Sequence, residues 1–259
     1  MSTKTVPSAE YAGVTYHSLR GQCVIVTGGA TGIGSDIVRA FAGQGCRVGF
    51  VDREVQAGQA LAASLPDVHF EACDVVDVPA LQAAIAALMR RIGGVDVLVN
   101  NVADDTRHTL AQVSLADFDR IAAVNLRPHY FAAQAVLPEM RARGSGAIVN
   151  LGSVSWKNKN LDLSVYATCK SAMSGFTRVL AKEVGRDRIR VNCVVPGWVM
   201  TQRQVSLWLD EAGERAMDAN HCIPGRIVGA DIAHMAMFLA ADTARMITAQ
   251  EFVVDAGWS

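Results

Sequence analysis

The stretch Cys23-Val-Ile-Val-Thr-Gly-Gly-Ala-Thr-Gly-Ile-Gly34 runs from a short apolar, β-branched segment into glycines at 28, 32 and 34. A helical pattern begins just beyond it, near Ser35. A strand that turns on glycines and enters a helix leaves backbone N–H groups and the positive end of a helix dipole facing outward. Such a turn cradles a pyrophosphate. The spacing is G-x-x-x-G-x-G rather than G-x-G-x-x-G, so its place between strand and helix carries the reading. Gly28, Thr31, Gly32, Ile33 and Gly34 are therefore the first candidate cofactor-binding residues.

Working outward, apolar runs at 23–26, 47–51, 68–73, 95–99, 147–151, 189–194 and 251–254 alternate with helical patterns at 35–44, 55–65, 78–92 and 118–141. Several runs are apolar throughout, which predicts strands covered on both faces and hence a parallel sheet. The expectation is an α/β protein: a single-domain, doubly wound parallel sheet of seven strands. Residues 20–259 form that domain, residues 1–19 an N-terminal extension, and residues 196–229 a substrate-covering insertion. An insertion beyond the carboxyl ends of the strands is placed to close over a ligand, or else only to shield the sheet edge.

The second run ends at Asp52, where a carboxylate suits the ribose hydroxyls of an adenosine and repels a 2′-phosphate. Arg53 beside it would favour that phosphate. The reading is NAD, with NADP left open. Asp74 and Val75, after the third run, are candidates for the adenine edge, and Asp74 is equally an ordinary turn residue.

With 259 residues and a net charge of −1, the chain offers no footprint for nucleic acid or an anionic membrane. Its apolar runs are too short to span a bilayer, and residues 1–19 lack the apolar core of a signal peptide. The 6 cysteines show no C-x-x-C pair and no histidine arranged for zinc, so no metal site is expected and a reduced, cytoplasmic setting fits.

Tyr166 and Lys170 stand at i and i+4 in Ser164-Val-Tyr-Ala-Thr-Cys-Lys170 and share one helix face. A phenol of unperturbed pKa about 10 is a poor base at neutral pH, and a neighbouring ammonium favours its ionised form. Removing hydride from a carbinol carbon requires a base on the hydroxyl, and Ser153 is placed to hold the same oxygen.

Thr27-Gly-x-x-x-Gly-x-Gly34, Asn100-Asn101, Asn125, Ser153, Tyr166-x-x-x-Lys170 and Pro196-Gly197 stand in the order and spacing of the short-chain dehydrogenase/reductase family, which the chain resembles over residues 20–257. The resemblance implies a Rossmann-type fold, nicotinamide-dependent hydride transfer and a homotetramer. It makes Tyr166 the acid/base and Lys170 the residue that lowers its pKa and holds the nicotinamide ribose. Ser153 orients the substrate hydroxyl, and Asn125 holds a relay water. Asn100, Val102, Pro196, Gly197, Val199 and Thr201 join the cofactor candidates. Two departures stand out: Val102-Ala103 replaces the family's Ala-Gly, and Gly152 replaces the first of two serines.

The polar run Ala103-Asp-Asp-Thr-Arg-His108 suits a hydroxylated ligand better than a lipid, unless it is only a solvated ion cluster. Together with Gly152-Ser-Val-Ser-Trp156, Pro196-Gly-x-Val-x-Thr-x-Arg203-Gln204 and Asp255-Ala-Gly-Trp258, it resembles aldose 1-dehydrogenases of this family. That resemblance implies NAD-dependent oxidation of the anomeric hydroxyl of an aldopyranose, neutral or anionic, to the lactone. Asp105, Arg107, His108, Ser153, Trp156, Tyr166, Trp198 and Arg203 are the substrate candidates. The alternatives are a polyol, ketoacyl or hydroxysteroid oxidoreductase, and a non-catalytic dinucleotide sensor on the same fold.

Overall fold

In a computed structural model, which describes residues 13–259, seven parallel strands lie in the order 3-2-1-4-5-6-7. They are β1 (Cys23–Thr27), β2 (Arg47–Asp52), β3 (Val68–Ala72), β4 (Val97–Asn100), β5 (Gly146–Leu151), β6 (Ile189–Pro196) and β7 (Glu251–Val254). The helices are α1 (Gly32–Gly43), α2 (Val55–Ala63), α3 (Val78–Ile92), α4 (Leu115–Asn125), α5 (Arg127–Arg143), α6 (Ser164–Val184), α7 (Gln202–Leu207), α8 (Glu211–Asn220) and α9 (Gly229–Ala240). This is the Rossmann-type sheet that the apolar runs imply.

Strand β1 shows why its sequence does not alternate polar with apolar. Val24 and Val26 enter one core with Ile37, Phe41 and Met237, while Cys23 and Ile25 enter the other with Ile85, Leu88 and Val136. Both faces are dry, so residues 23–26 are all apolar, and the polar Thr27 comes only at the carboxyl end. Strand order reverses between β1 and β4, which pair Thr27 with Asn100 at their carboxyl ends. That switch point opens a crevice where open α/β sheets bind ligands.

One expected helix is two. The pattern over 118–141 divides at Leu126 (φ −129°, ψ −55°) into α4 and α5. Pro128, in the first turn of α5, has no N–H to give and its ring crowds the preceding turn, so it suits a helix start and not an interior.

The proposed N-terminal extension falls partly outside the described residues. Of the rest, Leu19 is 1% exposed in the core, and Gln44 holds the backbone at Val14 and Tyr16. Residues 13–19 are thus packed on the domain. The segment 196–229 carries α7 and α8 and a small core of its own, in which Met200, Val205 and Met217 pack with Trp198, Leu209 and Trp258. No helix among the described residues is long and apolar enough to cross a membrane.

Candidate active site

A cleft of about 660 Å³ runs along the switch point from the glycine turn to the inner side of α7. Its floor is built by close backbone approach. Gly28 has φ +68°, and a Cβ on Gly34 would lie 1.8 Å from the Gly28 carbonyl oxygen. Asn101 locks the turn by donating from Nδ2 to the Gly28 carbonyl at 2.7 Å and the Thr27 carbonyl at 3.1 Å. Thr31 makes no side-chain bond to the first turn of α1, so the helix N-terminus faces the cleft uncapped. This cradle fits a dinucleotide pyrophosphate. Gly28, Thr31, Gly32, Ile33 and Gly34 all line it.

Asp52, Arg53, Asp74 and Val75 line the end of the cleft reached from β2 and β3. Asp52 accepts from Ala30 N–H at 2.9 Å and from Glu54 N–H at 3.0 Å, which fixes its carboxylate against the glycine turn. Arg53 points into solvent and pairs with Glu54 at 3.5 Å. Asp74 accepts from Val76 N–H at 3.0 Å, so it holds its turn and faces the cleft together. Val102, Pro196, Gly197, Val199 and Thr201 line the opposite end.

Asn100 is not brought to the cleft wall. Next to Asn150 in the paired strand, its Nδ2 donates to Asn150 Oδ1 at 2.9 Å and to the His129 carbonyl at 3.2 Å, inside the core. Side chains alternate across a strand, so Asn101 takes the place by the glycine turn.

Tyr166 and Lys170 lie on the inner face of α6, whose buried residues Val165, Cys169, Met173, Phe176 and Leu180 follow the helical period. Lys170 is 2% exposed, donates to the Leu151 carbonyl at 2.8 Å, and lies 5.9 Å from the Tyr166 ring centroid. Burial lowers the Lys170 pKa to about 8. Burial likewise pushes the Tyr166 phenol up to about 12, and its hydrogen bond with Ser153 pulls the other way. The chain alone thus holds Tyr166 as an acid, contrary to the expectation that Lys170 would bring its pKa down. Ser153 is oriented by accepting from Ser155 N–H at 3.1 Å.

Asn125 is fully buried at the end of α4, behind the cleft lining. Its Oδ1 accepts from Asp104 N–H and its Nδ2 donates to the Asp104 carbonyl, each at 3.0 Å. Asn125 therefore clamps the loop after β4. Ala103 adopts no positive φ, so the departure from glycine strains nothing there. At Gly152 a Cβ would come within 3.0 Å of Cys193 Sγ, which explains why no side chain stands there.

Of the substrate candidates, Asp105, Arg107, Ser153, Tyr166, Trp198 and Arg203 line the cleft, while His108 and Trp156 do not. His108 accepts from Val165 N–H through Nε2 at 3.1 Å, and so caps α6 from a distant loop. Its Nδ1, 2.9 Å from the Thr106 carbonyl, then carries the proton. Trp156 turns outward under Lys157, whose Nζ is 4.5 Å from the ring centroid.

The charged candidates are joined to one another. Arg203 Nε donates to Asp105 Oδ1 at 2.9 Å, Gln204 Nε2 to the other oxygen of Asp105, and Arg107 lies 5.2 Å over the Trp208 ring. Trp198 Nε1 donates to Gln204 Oε1 at 2.9 Å. The cleft mouth is thus a bridge between the β4–α4 loop and α7. Asn101, Gln204 and Trp258, which the sequence reading quoted within motifs without making them site candidates, also line the cleft, as do Asn158 and Gln202.

Of the cysteines, Cys23, Cys46, Cys73, Cys169 and Cys193 are buried and Cys222 is exposed, all as free thiols. Burial pushes Cys73 up to about 11 and Cys46 and Cys193 up to about 12, so these thiols are poor nucleophiles.

Comparison with known proteins agrees with this geometry. Residues 28–259 match a family model described as enoyl-(acyl carrier protein) reductase. A D-xylose 1-dehydrogenase from Caulobacter vibrioides is 45% identical over 94% of this chain and 98% of its own. A probable galactose dehydrogenase from Rhizobium meliloti is 38% identical over 98% of this chain and 99% of its own. A solved 7α-hydroxysteroid dehydrogenase, complexed with NADH and 7-oxo glycochenodeoxycholic acid, superposes with a TM-score of 0.89 at 30% identity, covering 93% of this chain and 96% of its own. The chain belongs to the short-chain dehydrogenase/reductase family of oxidoreductases.

Proposed function

We propose that this enzyme oxidises the anomeric hydroxyl of an aldopyranose to the lactone, with NAD as hydride acceptor. The observation that carries the reading is the polar mouth facing Tyr166, where Asp105, Gln204, Arg203 and Asn158 surround the approach to Ser153. Such a wall of hydrogen-bonding groups suits a hydroxylated ligand better than an apolar one. The similarity to a D-xylose and a probable galactose dehydrogenase supports the same class.

Ser153 holds the substrate oxygen and Tyr166 takes its proton. Oxidised nicotinamide, when bound, supplies the hydride acceptor and a positive charge near the phenol. That charge matters here. Bringing a phenol from about 12 to near 7 takes roughly 7 kcal/mol of differential stabilisation, beyond what a single ion pair supplies. Gly28, Gly32 and Gly34 would hold the pyrophosphate, and Asp52 the adenosine ribose. Asp52 fixed against the turn and Arg53 directed at Glu54 favour NAD over NADP.

Arg203 and Arg107 already have partners within the chain, which favours a neutral sugar over an anionic one. In this reading residues 196–229 cover the substrate, and the enzyme is a cytoplasmic homotetramer. A panel of neutral aldoses, sugar acids, cyclic ketones and bile acids, read at the nicotinamide absorbance with NAD and NADP in parallel, tests the assignment. Turnover is expected with a neutral aldose and NAD. Ketone reduction with NADPH in the absence of any aldose oxidation overturns it.

A further inference from the structure

Gln204 lies in the first turn of α7, and its side-chain amide is held from both ends. Trp198 Nε1 donates to its Oε1 at 2.9 Å, and its own Nε2 donates to Asp105 Oδ2. An indole N–H can only donate and a carboxylate can only accept, so an amide turned the other way would set donor against donor and acceptor against acceptor. The two partners are themselves fixed. A Cβ on Gly213 would come within 2.6 Å of the Trp198 ring, so α8 lies directly against that ring. Asp105 Oδ1 takes Arg203 Nε at 2.9 Å, and the neighbouring Asp104 is gripped by Asn125. Trp198, Gln204 and Asp105 all line the cleft.

The lock leaves hydrogen-bonding capacity over. Gln204 Nε2 carries two hydrogens and Asp105 takes one, while the other has no partner among the described residues. Each oxygen of Asp105 accepts one bond from the chain, and a carboxylate oxygen has room for about two. A donor and an acceptor thus lie side by side at the cleft mouth, in a chain of hydrogen bonds that polarises each member. A hydroxyl answers both, because it gives one hydrogen and also accepts. A carbonyl or ether oxygen would leave the carboxylate unanswered, an ammonium the amide, and a C–H surface both.

We propose that Gln204 is a specificity-determining residue: its locked amide, paired with the Asp105 carboxylate, reads one ring hydroxyl of the substrate other than the one being oxidised. Nε2 donates to the oxygen of that hydroxyl, and Asp105 accepts its hydrogen. The inference rests on the sugar reading given above, in which Ser153 and Tyr166 hold the reacting hydroxyl. It adds no chemical step, and its effect falls on which polyhydroxylated ring is accepted.

The test compares the aldopyranose that the enzyme oxidises best with the monodeoxy analogues of that sugar, each with NAD. In the wild type one analogue should lose roughly 10–100-fold in kcat/KM, carried mainly by KM, because the pair is left unanswered. Gln204→Met, which removes the amide, should narrow that one loss to a few-fold, keep the ranking of the other analogues and leave the KM for NAD unchanged. Gln204→Glu keeps an acceptor for Trp198 but has no donor, so it should lose the same discrimination, whereas a residue that only braced Trp198 would keep it. Three outcomes overturn the inference: a wild type that tolerates every deoxy analogue, a folded Gln204→Met or Gln204→Glu that discriminates as the wild type does, or discrimination that falls equally at every hydroxyl. If the wild type oxidises no aldose at all, the sugar reading falls and this inference with it. If aldoses are oxidised and discrimination among them ignores Gln204, the inference falls alone.

Discussion

The carboxamide of Asn125 grips Asp104 from both sides, accepting from its backbone N–H and donating to its carbonyl, each at 3.0 Å. The Asp104 side chain then meets Arg120 at 3.2 Å and Arg203 at 3.5 Å. A residue at the end of α4 is thereby tied through one loop to α7 at the cleft mouth. Asn125→Ala should raise KM and lower kcat together, because the loop that shapes the mouth loses both of its fixed points. Asn125→Asp, which keeps the acceptor, should fall between. Steady-state kinetics on the best aldose check the order, and a change confined to kcat would argue for a role at the reacting atoms alone.

Arg203 and Asp105 form a half-exposed pair, so the contact itself is worth about 0–1 kcal/mol and is screened by salt. Arg203→Ala should therefore change melting temperature little but raise sugar KM by roughly 3–10-fold, since α7 loses its tether to the loop. Wild-type KM should rise with ionic strength and that of the variant should not. Kinetics at low and high sodium chloride decide it.

Tyr166→Phe should lower kcat by roughly 10²–10⁴ with KM within a few-fold, the loss expected for removing a general base. The phenol held up to about 12 gives a second measurement. Subtracting the ultraviolet titration of Tyr166→Phe from that of the wild type should show one phenol ionising near 12 in the protein alone. NAD should move that ionisation to lower pH. Full turnover in Tyr166→Phe would refute the assignment.

Lys170 offers a stability test. Its pKa is about 8 when folded and about 10.5 when unfolded, so between those values the unfolded chain binds the extra proton and stability rises with pH. Below about pH 8 both states are protonated and the penalty of roughly 3 kcal/mol is fully present. Lys170→Met abolishes this term. The stability of the variant relative to wild type should shrink by about 3 kcal/mol as pH rises from 8 to 10.5, whatever the loss of the Leu151 contact adds as a constant. Urea melts at several pH values read it.

His108 caps α6 through Val165 N–H, so His108→Ala should cost about 1 kcal/mol and slow turnover by disturbing the helix end that carries Tyr166. An unchanged urea midpoint and kcat would remove His108 from this role.

Much of the fold was legible because its signals are local. A strand such as β1, buried on both faces, is apolar from Cys23 to Val26, and glycines at 28 and 34 announce a backbone that admits no side chain. The i and i+4 spacing of Tyr166 and Lys170 put both on one face of α6 without any tertiary knowledge. The division at Leu126 was equally present in Pro128, but the apolar pattern continues through it and masked the break.

Residue types along the chain thus determined the seven apolar strands, the glycine turn and the placing of Tyr166 and Lys170 on one helix face, because each depends on neighbours within a turn or two. Only the tertiary structure decided that Asp105 and Arg203 face each other, that His108 serves α6, that Asn101 rather than Asn100 meets the glycine turn, and that burial raises the Tyr166 pKa. Those outcomes depend on partners brought from distant segments and on how much water the packed chain excludes, and neither is encoded in spacing.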